Sequence, residues 1–143
     1  MESLKLENQL CFPVYALSRQ ITALYRPHLE ALELTYPQYL VMLALWEHET
    51  LSVKQLGKLL WLDSGTLTPL LKRMEENGLL SRNRSEADER VVNIRISAQG
   101  TALKQQALSI PEAIKNALET DDAQLFQLRD QLKQILSVTT TNK

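Results

Sequence analysis

Residues 51–78 read LSVKQLGKLLWLDSGTLTPLLKRMEENG, and residues 79–97 continue as LLSRNRSEADERVVNIRIS. The first stretch has the pattern of two short helices. Ser52 can cap one, with Gln55 three residues on completing a capping box. Val53, Leu56, Leu59 and Leu60 then recur at helical spacing as one apolar face. Asp63 and Ser64 are favoured caps for a second helix, and Gly65 lets the chain turn closely between the two. Leu67, Leu70, Leu71 and Met74 follow the i, i+3, i+4, i+7 pattern of a core-facing stripe. That leaves Thr66, Thr68, Pro69, Lys72, Arg73 and Glu76 facing outward. Gly78 ends the helix as the residue just past its C-cap, and apolar Leu79 and Leu80 follow.

The second stretch changes period. Leu80, Arg82 and Arg84 alternate with polar residues, and Val92, Ile94 and Ile96 alternate with Asn93, Arg95 and Ser97, as two half-buried strands should. Between them SEADER is too polar to pack, so it is expected to project as a charged, flexible tip. Asp88 lies two residues before Arg90 and can hold the guanidinium in one orientation. Two helices followed by a hairpin compose a winged helix-turn-helix.

Each half of that unit suits DNA. The outward face of the second helix is short, polar and hydroxyl-rich at its start, where helix N–H groups favour phosphate. Thr66 and Thr68 can reach base edges, while Lys72 and Arg73 fall where phosphate contact is expected. Arg90 can approach a narrow minor groove of strong negative potential, and Arg84, on the strand leading to it, is a further DNA-binding candidate. The plainer alternative is a solvated helix face and a hairpin tip carrying a weak surface ion pair. The order of helix pair and hairpin favours DNA.

Charge bounds the mode of binding. The chain has 143 residues, enough for one domain or for a domain with an oligomerisation element, and a net charge of −1. Between Lys72 and Arg95, the basic residues Lys72, Arg73, Arg82, Arg84, Arg90 and Arg95 are nearly matched by Glu75, Glu76, Glu86, Asp88 and Glu89. Affinity must then come from placement and from a doubled footprint, which predicts a specific, salt-sensitive binder of double-stranded DNA. No long apolar stretch or leader pattern is present, so the expectation is a cytoplasmic protein without membrane contact. No metal cluster, phosphate loop or hydrolase triad is seen, and no cofactor is expected. His28 and His48 have no companions at ligand spacing and read as structural or exposed.

The flanks read as helices. A stretch starting at Leu6 or Pro13 and ending near Leu32 carries Leu17, Ile21 and Leu24, then His28 or Leu29, at helical spacing. Thr35 with Gln38 opens another capping box, before the strongly apolar TYPQYLVMLALWEHE. After the wing, Ser97 can cap a helix through Leu103 and Leu108 to Leu118, which Pro111 must kink or interrupt. Asp121 or Asp122 opens a last helix bearing Leu125, Leu128, Leu132, Ile135 and Leu136, and the polar tail from Thr139 to Lys143 is expected to fray. The fold class is therefore mainly α with a small β-wing (α+β). In one chain spanning 1–143, a winged helix-turn-helix region covers 35–97, and helical dimerisation regions cover 6–32 and 98–138. The apolar stripes of the flanking helices want a partner, and a second copy gives a C2 homodimer with two groove-reading helices.

Cys11 is the chain's single cysteine, which excludes an intrachain disulfide. If a helix begins near Pro13, its free N–H groups and dipole favour a reactive thiolate. If it begins near Leu6, that argument weakens. Tyr15 would share a helix face with Cys11, and Tyr25 and Tyr36 are further phenols that could reach the sulfur, from this chain or a second one. On local sequence alone, a small buried hydrophobe is the commoner fate of a free cysteine.

These residues together resemble a known family. QLCF around Cys11, LYRP at Tyr25, LTYPQYLV around Tyr36, LWEHE at Trp46, LDSGTLTPLLKRME and the DER of the wing are similar to the MarR-type transcriptional regulators, in their organic-hydroperoxide-sensing branch, OhrR. The likeness runs from Leu6 to about Leu118, and the last helix matches only in type. It implies a homodimeric repressor of a peroxidase gene, released from a palindromic operator by organic hydroperoxides and not itself an enzyme. Cys11 would be the redox sensor, and Tyr15 and Tyr25 would hydrogen-bond its sulfur, Tyr25 from the partner subunit, with Tyr36 nearby. Ser64, Thr66, Thr68 and Lys72 would lie on the recognition helix, and Arg90, oriented by Asp88, would read the minor groove. Part of the branch carries a second, resolving cysteine that this chain lacks. A Cys11 sulfenic acid must then meet a low-molecular-weight thiol as a mixed disulfide, cyclise onto a backbone nitrogen, or over-oxidise. Three rival readings are a MarR-type repressor gated by a small phenolic ligand, a one-cysteine thiol peroxidase, and a winged helix that binds another protein through the LDSGTLTP face.

Overall fold

The computed structural model describes Met1–Thr141, as two compact units that divide between Leu108 and Ser109. Ahead of the first helix, two single 3-10 turns cover Glu2–Leu4 and Leu6–Asn8. Helix α1 is Cys11–Glu30. It starts at neither residue predicted. Pro13 sits third in the helix, where a missing N–H costs nothing, so two residues can precede it in helical conformation. The helix also stops two residues short of Leu32, which is buried in the following turn.

Helix α2, Tyr36–His48, opens on the predicted capping box: the Gln38 N–H donates to Thr35 Oγ1, and the Thr35 N–H to Gln38 Oε1. It is the buried hub of the first unit. Val41, Met42 and Leu45 are fully enclosed. Strand β1, Thr50–Ser52, leads into α3, Val53–Leu60, where Ser52 and Gln55 form the second predicted box. Leu56 is fully buried, with Val53 and Leu60 half-buried beside it. Leu59 is half-exposed, because its direction falls at the edge of the stripe away from Val53 and Leu60.

The turn into α4, Ser64–Glu76, is not made by Gly65, which is the second residue of that helix. Trp61 makes it, with its backbone in the left-handed region that non-glycine residues rarely enter. The close approach falls on Gly57, where a Cβ would stand 2.7 Å from the Leu62 carbonyl oxygen. Asp63 is the N-cap: its Oδ1 accepts the Thr66 N–H at 2.7 Å. Leu67, Leu71 and Met74 are fully buried, while Thr66, Thr68, Pro69, Lys72, Arg73 and Glu76 are exposed, as their spacing requires. Gly78 ends the helix at a positive φ, with the Leu79 N–H donating back to the Met74 carbonyl.

The wing is β2, Leu80–Arg84, and β3, Val92–Ile96. Its register pairs Leu80 with Ile96, Arg82 with Ile94 and Arg84 with Val92. These are the two strands expected from alternation. Strand β1 adds a third, through Leu51 opposite Ile94, so the sheet order is β1-β3-β2. Ile94, in the central strand, is fully buried. Helix α5, Ala98–Ala107, is capped by Ser97 and held to α2 by the Trp46 indole N–H, which donates to the Gly100 carbonyl at 2.9 Å.

In the second unit, Pro111 interrupts rather than kinks the predicted long helix. A new helix α6, Ile110–Ala117, starts with the proline in its first turn. Helix α7 is Asp122–Thr141, so the helix continues into the tail expected to fray from Thr139, and Asn142 and Lys143 lie outside the described residues. Phe126, Leu128, Leu132, Ile135 and Leu136 are all exposed on it. Among the described residues, no helix is long and apolar enough to cross a membrane.

Candidate functional site

The face of α4 and the tip of the wing carry the DNA-directed candidates. Ser64, Thr66, Thr68, Lys72 and Arg73 are all exposed on α4. The Thr68 hydroxyl donates to the Ser64 carbonyl at 2.7 Å, so towards any further partner its oxygen is an acceptor. Hydrogen bonds cross the wing tip. The Val91 N–H donates to the Asp88 carbonyl, and Arg84 Nη1 to the Glu89 carbonyl at 2.9 Å. Arg84, expected at the nucleic acid, thus braces the loop that carries Arg90.

Asp88 and Arg90 form a two-pronged pair. Arg90 Nε donates to Asp88 Oδ1 and Arg90 Nη2 to Oδ2, both at 3.0 Å, and the Arg90 N–H adds a third bond to Oδ1. The guanidinium holds the Asp88 carboxyl below the usual carboxylate range, and the carboxylate pushes Arg90 upward in turn. The arginine side chain is nevertheless 90% exposed: its direction is fixed and its outer edge is free.

The sulfur candidates divide between two places. Cys11 begins α1 and is exposed in the single chain. Tyr15, one turn on, is also exposed, and the Arg19 guanidinium stacks 4.6 Å from its ring centre. Tyr25 lies fourteen residues along the same helix, a separation of about 21 Å by helical rise. It packs instead on α2, its ring centre 5.0 Å from Tyr36 and 5.6 Å from Tyr39. Tyr39 in turn meets Trp46 edge-on at 6.2 Å. Burial, with Tyr36 and Tyr39 beside it, pushes Tyr25 up to about 12, so its phenol is a proton donor throughout the physiological range. Burial raises Tyr36 as well.

Comparison with known proteins completes the assignment. The family model described as transcriptional regulator SarA/Rot matches residues 23–107. The organic hydroperoxide resistance transcriptional regulator of Bacillus subtilis (strain 168) is 53% identical over 135 residues, 94% of this chain and 92% of that protein. The chain belongs to the MarR-type organic hydroperoxide resistance regulators. Among solved structures, reduced AbfR bound to DNA matches 97% of each chain at 34% identity, with a TM-score of 0.79. Overoxidised AbfR bound to DNA matches 94% of this chain and 99% of that one at 35% identity, with a TM-score of 0.74.

For a regulator of this family, the single chain brings some of the expected site together and not the rest. Tyr25 and Tyr36 meet each other but not Cys11. Tyr39 completes their cluster and is not among the residues expected from sequence. Its signal is present, since Tyr36 and Tyr39 are three apart at the start of one helix and share a face. Glu75 is likewise missing from the expected set. Its carboxylate bonds β2, through Arg82, and no local pattern announces a contact seven residues away across a turn.

Proposed function

We propose that this protein represses transcription as a homodimer on a palindromic operator, in the cytoplasm, and releases the DNA when an organic hydroperoxide oxidises Cys11. The observation that carries the reading is the separation of Cys11 from the Tyr25–Tyr36 pair along one helix. Phenols that serve the sulfur from that pair must come from a second chain. The exposed apolar residues of α1 (Phe12, Val14, Leu17, Leu24) supply one surface for a second copy to cover, and the exposed stripe of α7, in the other unit, supplies another.

In the reduced dimer, two α4 helices enter successive major grooves through Ser64, Thr66 and Thr68. Lys72 and Arg73 contact phosphates. Each Arg90, held by Asp88 on a loop braced by Arg84, enters the neighbouring minor groove. At the sensor, Tyr15 of the same chain and Tyr25 of the other hydrogen-bond the Cys11 sulfur, with Tyr36 alongside.

The chemistry balances in two steps. The Cys11 thiolate attacks the terminal oxygen of the hydroperoxide. The O–O bond breaks, sulfur is oxidised to the sulfenic acid, and the alkoxide leaves and takes a proton as the alcohol. With no second cysteine in the chain, a low-molecular-weight thiol then displaces water from the sulfenic sulfur and forms a mixed disulfide. Overoxidised AbfR is seen bound to DNA. Overoxidation adds only oxygen to a sulfur, so the bulkier thiol adduct is favoured as the reversible releasing species here. The adduct breaks the tyrosine–sulfur bonds and turns one subunit against the other, so half-site spacing no longer fits. About 3 kcal/mol of differential stability weakens binding roughly a hundredfold.

A gel shift on DNA upstream of the protein's own gene tests this, run reduced, with an alkyl hydroperoxide, and with peroxide plus a small thiol. The complex is expected in the first lane and lost in the third. Retention of the complex in all three contradicts the reading.

A further inference from the structure

Glu75 stands where a helix favours a cation. It lies in the last turn of α4, at the negative end of the helix dipole, and gains nothing from that position. Its carboxylate faces the wing. The backbone N–H of Arg82 donates to Oε2 at 2.6 Å, and Arg82 Nε donates to Oε1 at 3.2 Å. The first of these bonds is the main cause holding the Glu75 carboxyl below its ordinary range.

The sheet order gives that bond its meaning. β2 is an edge strand, with β3 on one side only. The Arg82 N–H is directed to the open side, where no strand among the described residues offers a carbonyl. Glu75 supplies the missing acceptor, and its second oxygen fixes the guanidinium of the same residue. The C-terminal end of α4 is thereby joined to the stem of the wing at two atoms. A separate bond, from Ser97 Oγ to the Gly78 carbonyl at 2.6 Å, ties the end of β3 to the turn between them.

We propose that Glu75 is a positioning residue for two-groove reading: through Arg82 it sets the wing against α4, so that Arg90 meets the minor groove while α4 occupies the major groove. This rests on the DNA contacts assigned under the proposed function. Glu75 touches neither groove itself. It acts through the fixed relation of two elements that do.

The sign of the charge makes the idea testable. A carboxylate near a phosphate backbone repels it, so a Glu75 without a positioning role leaves operator binding unchanged or tighter when removed. Positioning gives the opposite sign. Operator affinity is measured by fluorescence anisotropy on the full-length reduced protein for Glu75→Ala, Glu75→Gln, Arg90→Ala and the double variant Glu75→Ala/Arg90→Ala. Glu75→Ala is expected to bind about tenfold more weakly. Glu75→Gln, which keeps an acceptor for the Arg82 N–H, should stay within about threefold of the parent and shows that the acceptor rather than the charge matters. The double variant should bind no more weakly than Arg90→Ala, because a misplaced wing costs nothing once its arginine is gone. Operator binding by Glu75→Ala as tight as the parent's, or losses that multiply in the double variant, overturn the proposal. If Arg90→Ala itself binds normally, the wing assignment falls first and takes this inference with it.

Discussion

Cys11 and Tyr25 occupy one uninterrupted helix, yet its length holds them apart, and Tyr25 is packed on Tyr36 instead. A sensor that uses both must be built between chains. Mixed dimers read this directly. Pairing a Cys11→Ser chain with a Tyr25→Phe chain leaves one complete site, formed by the cysteine of the second and the phenol of the first. Pairing a doubly substituted chain with an unsubstituted one leaves none. Peroxide sensitivity, measured as the rate of sulfenic acid trapping, should persist in the first and drop in the second. The reverse ranking would mean that each chain serves its own sulfur.

Arg90→Ala should weaken operator binding roughly thirtyfold, the loss expected of an arginine whose outer edge is free for the minor groove. Asp88→Asn, which keeps one acceptor but loses the paired charge, should lose less. Anisotropy titrations at fixed salt check both, and the salt slope should fall by about one for Arg90→Ala.

Tyr25 gives a pH signature. Its folded value of about 12 lies above the ordinary 10.0, so folding favours the protonated phenol. The associated stability is complete below pH 10 and is lost as pH rises towards 12. Thermal melts across that window should fall more steeply for the parent than for Tyr25→Phe. Equal slopes would remove Tyr25 as the cause.

Three glycines should answer alanine differently. At Gly100 the new Cβ meets the Leu79 carbonyl oxygen, Ile96 Cγ1 at 2.9 Å and Met42 Cε at 3.1 Å. Overpacking of that kind should cost about 3 kcal/mol. Gly57→Ala meets the Leu62 carbonyl oxygen at 2.7 Å and Leu67 Cδ1 at 3.4 Å and should lose about 2 kcal/mol. Gly65→Ala meets, among the described residues, only Asp63 Oδ1, at 3.4 Å, and lies in the first turn of a helix. There the alanine should gain about 0.5 kcal/mol. Urea unfolding midpoints order the three.

What is legible in the sequence follows from the range of each interaction. Caps and stripes are local, so Thr35–Gln38, Ser52–Gln55 and the Leu67–Leu71–Met74 face can be read in advance. So can Asp88 with Arg90, two residues apart. Strand β1 cannot, because three residues carry too little alternation to be recognised before β3 is known to lie beside them. A glycine beside two capping residues suggests a tight turn at Gly65. The crowding is at Gly57, and only the path of the chain back over α3 reveals it. Glu75 makes its contact between elements, with Arg82 on β2, which no short pattern encodes.

One sulfur atom controlling operator affinity is the central claim. The most direct measurement is operator dissociation for the parent and Cys11→Ser, each titrated reduced and after an alkyl hydroperoxide with a low-molecular-weight thiol. The two should bind alike when reduced. After treatment the parent should weaken about a hundredfold, and Cys11→Ser should not change. Release of Cys11→Ser by the same treatment, or a parent that carries the mixed disulfide on Cys11 and holds its operator undiminished, would contradict it.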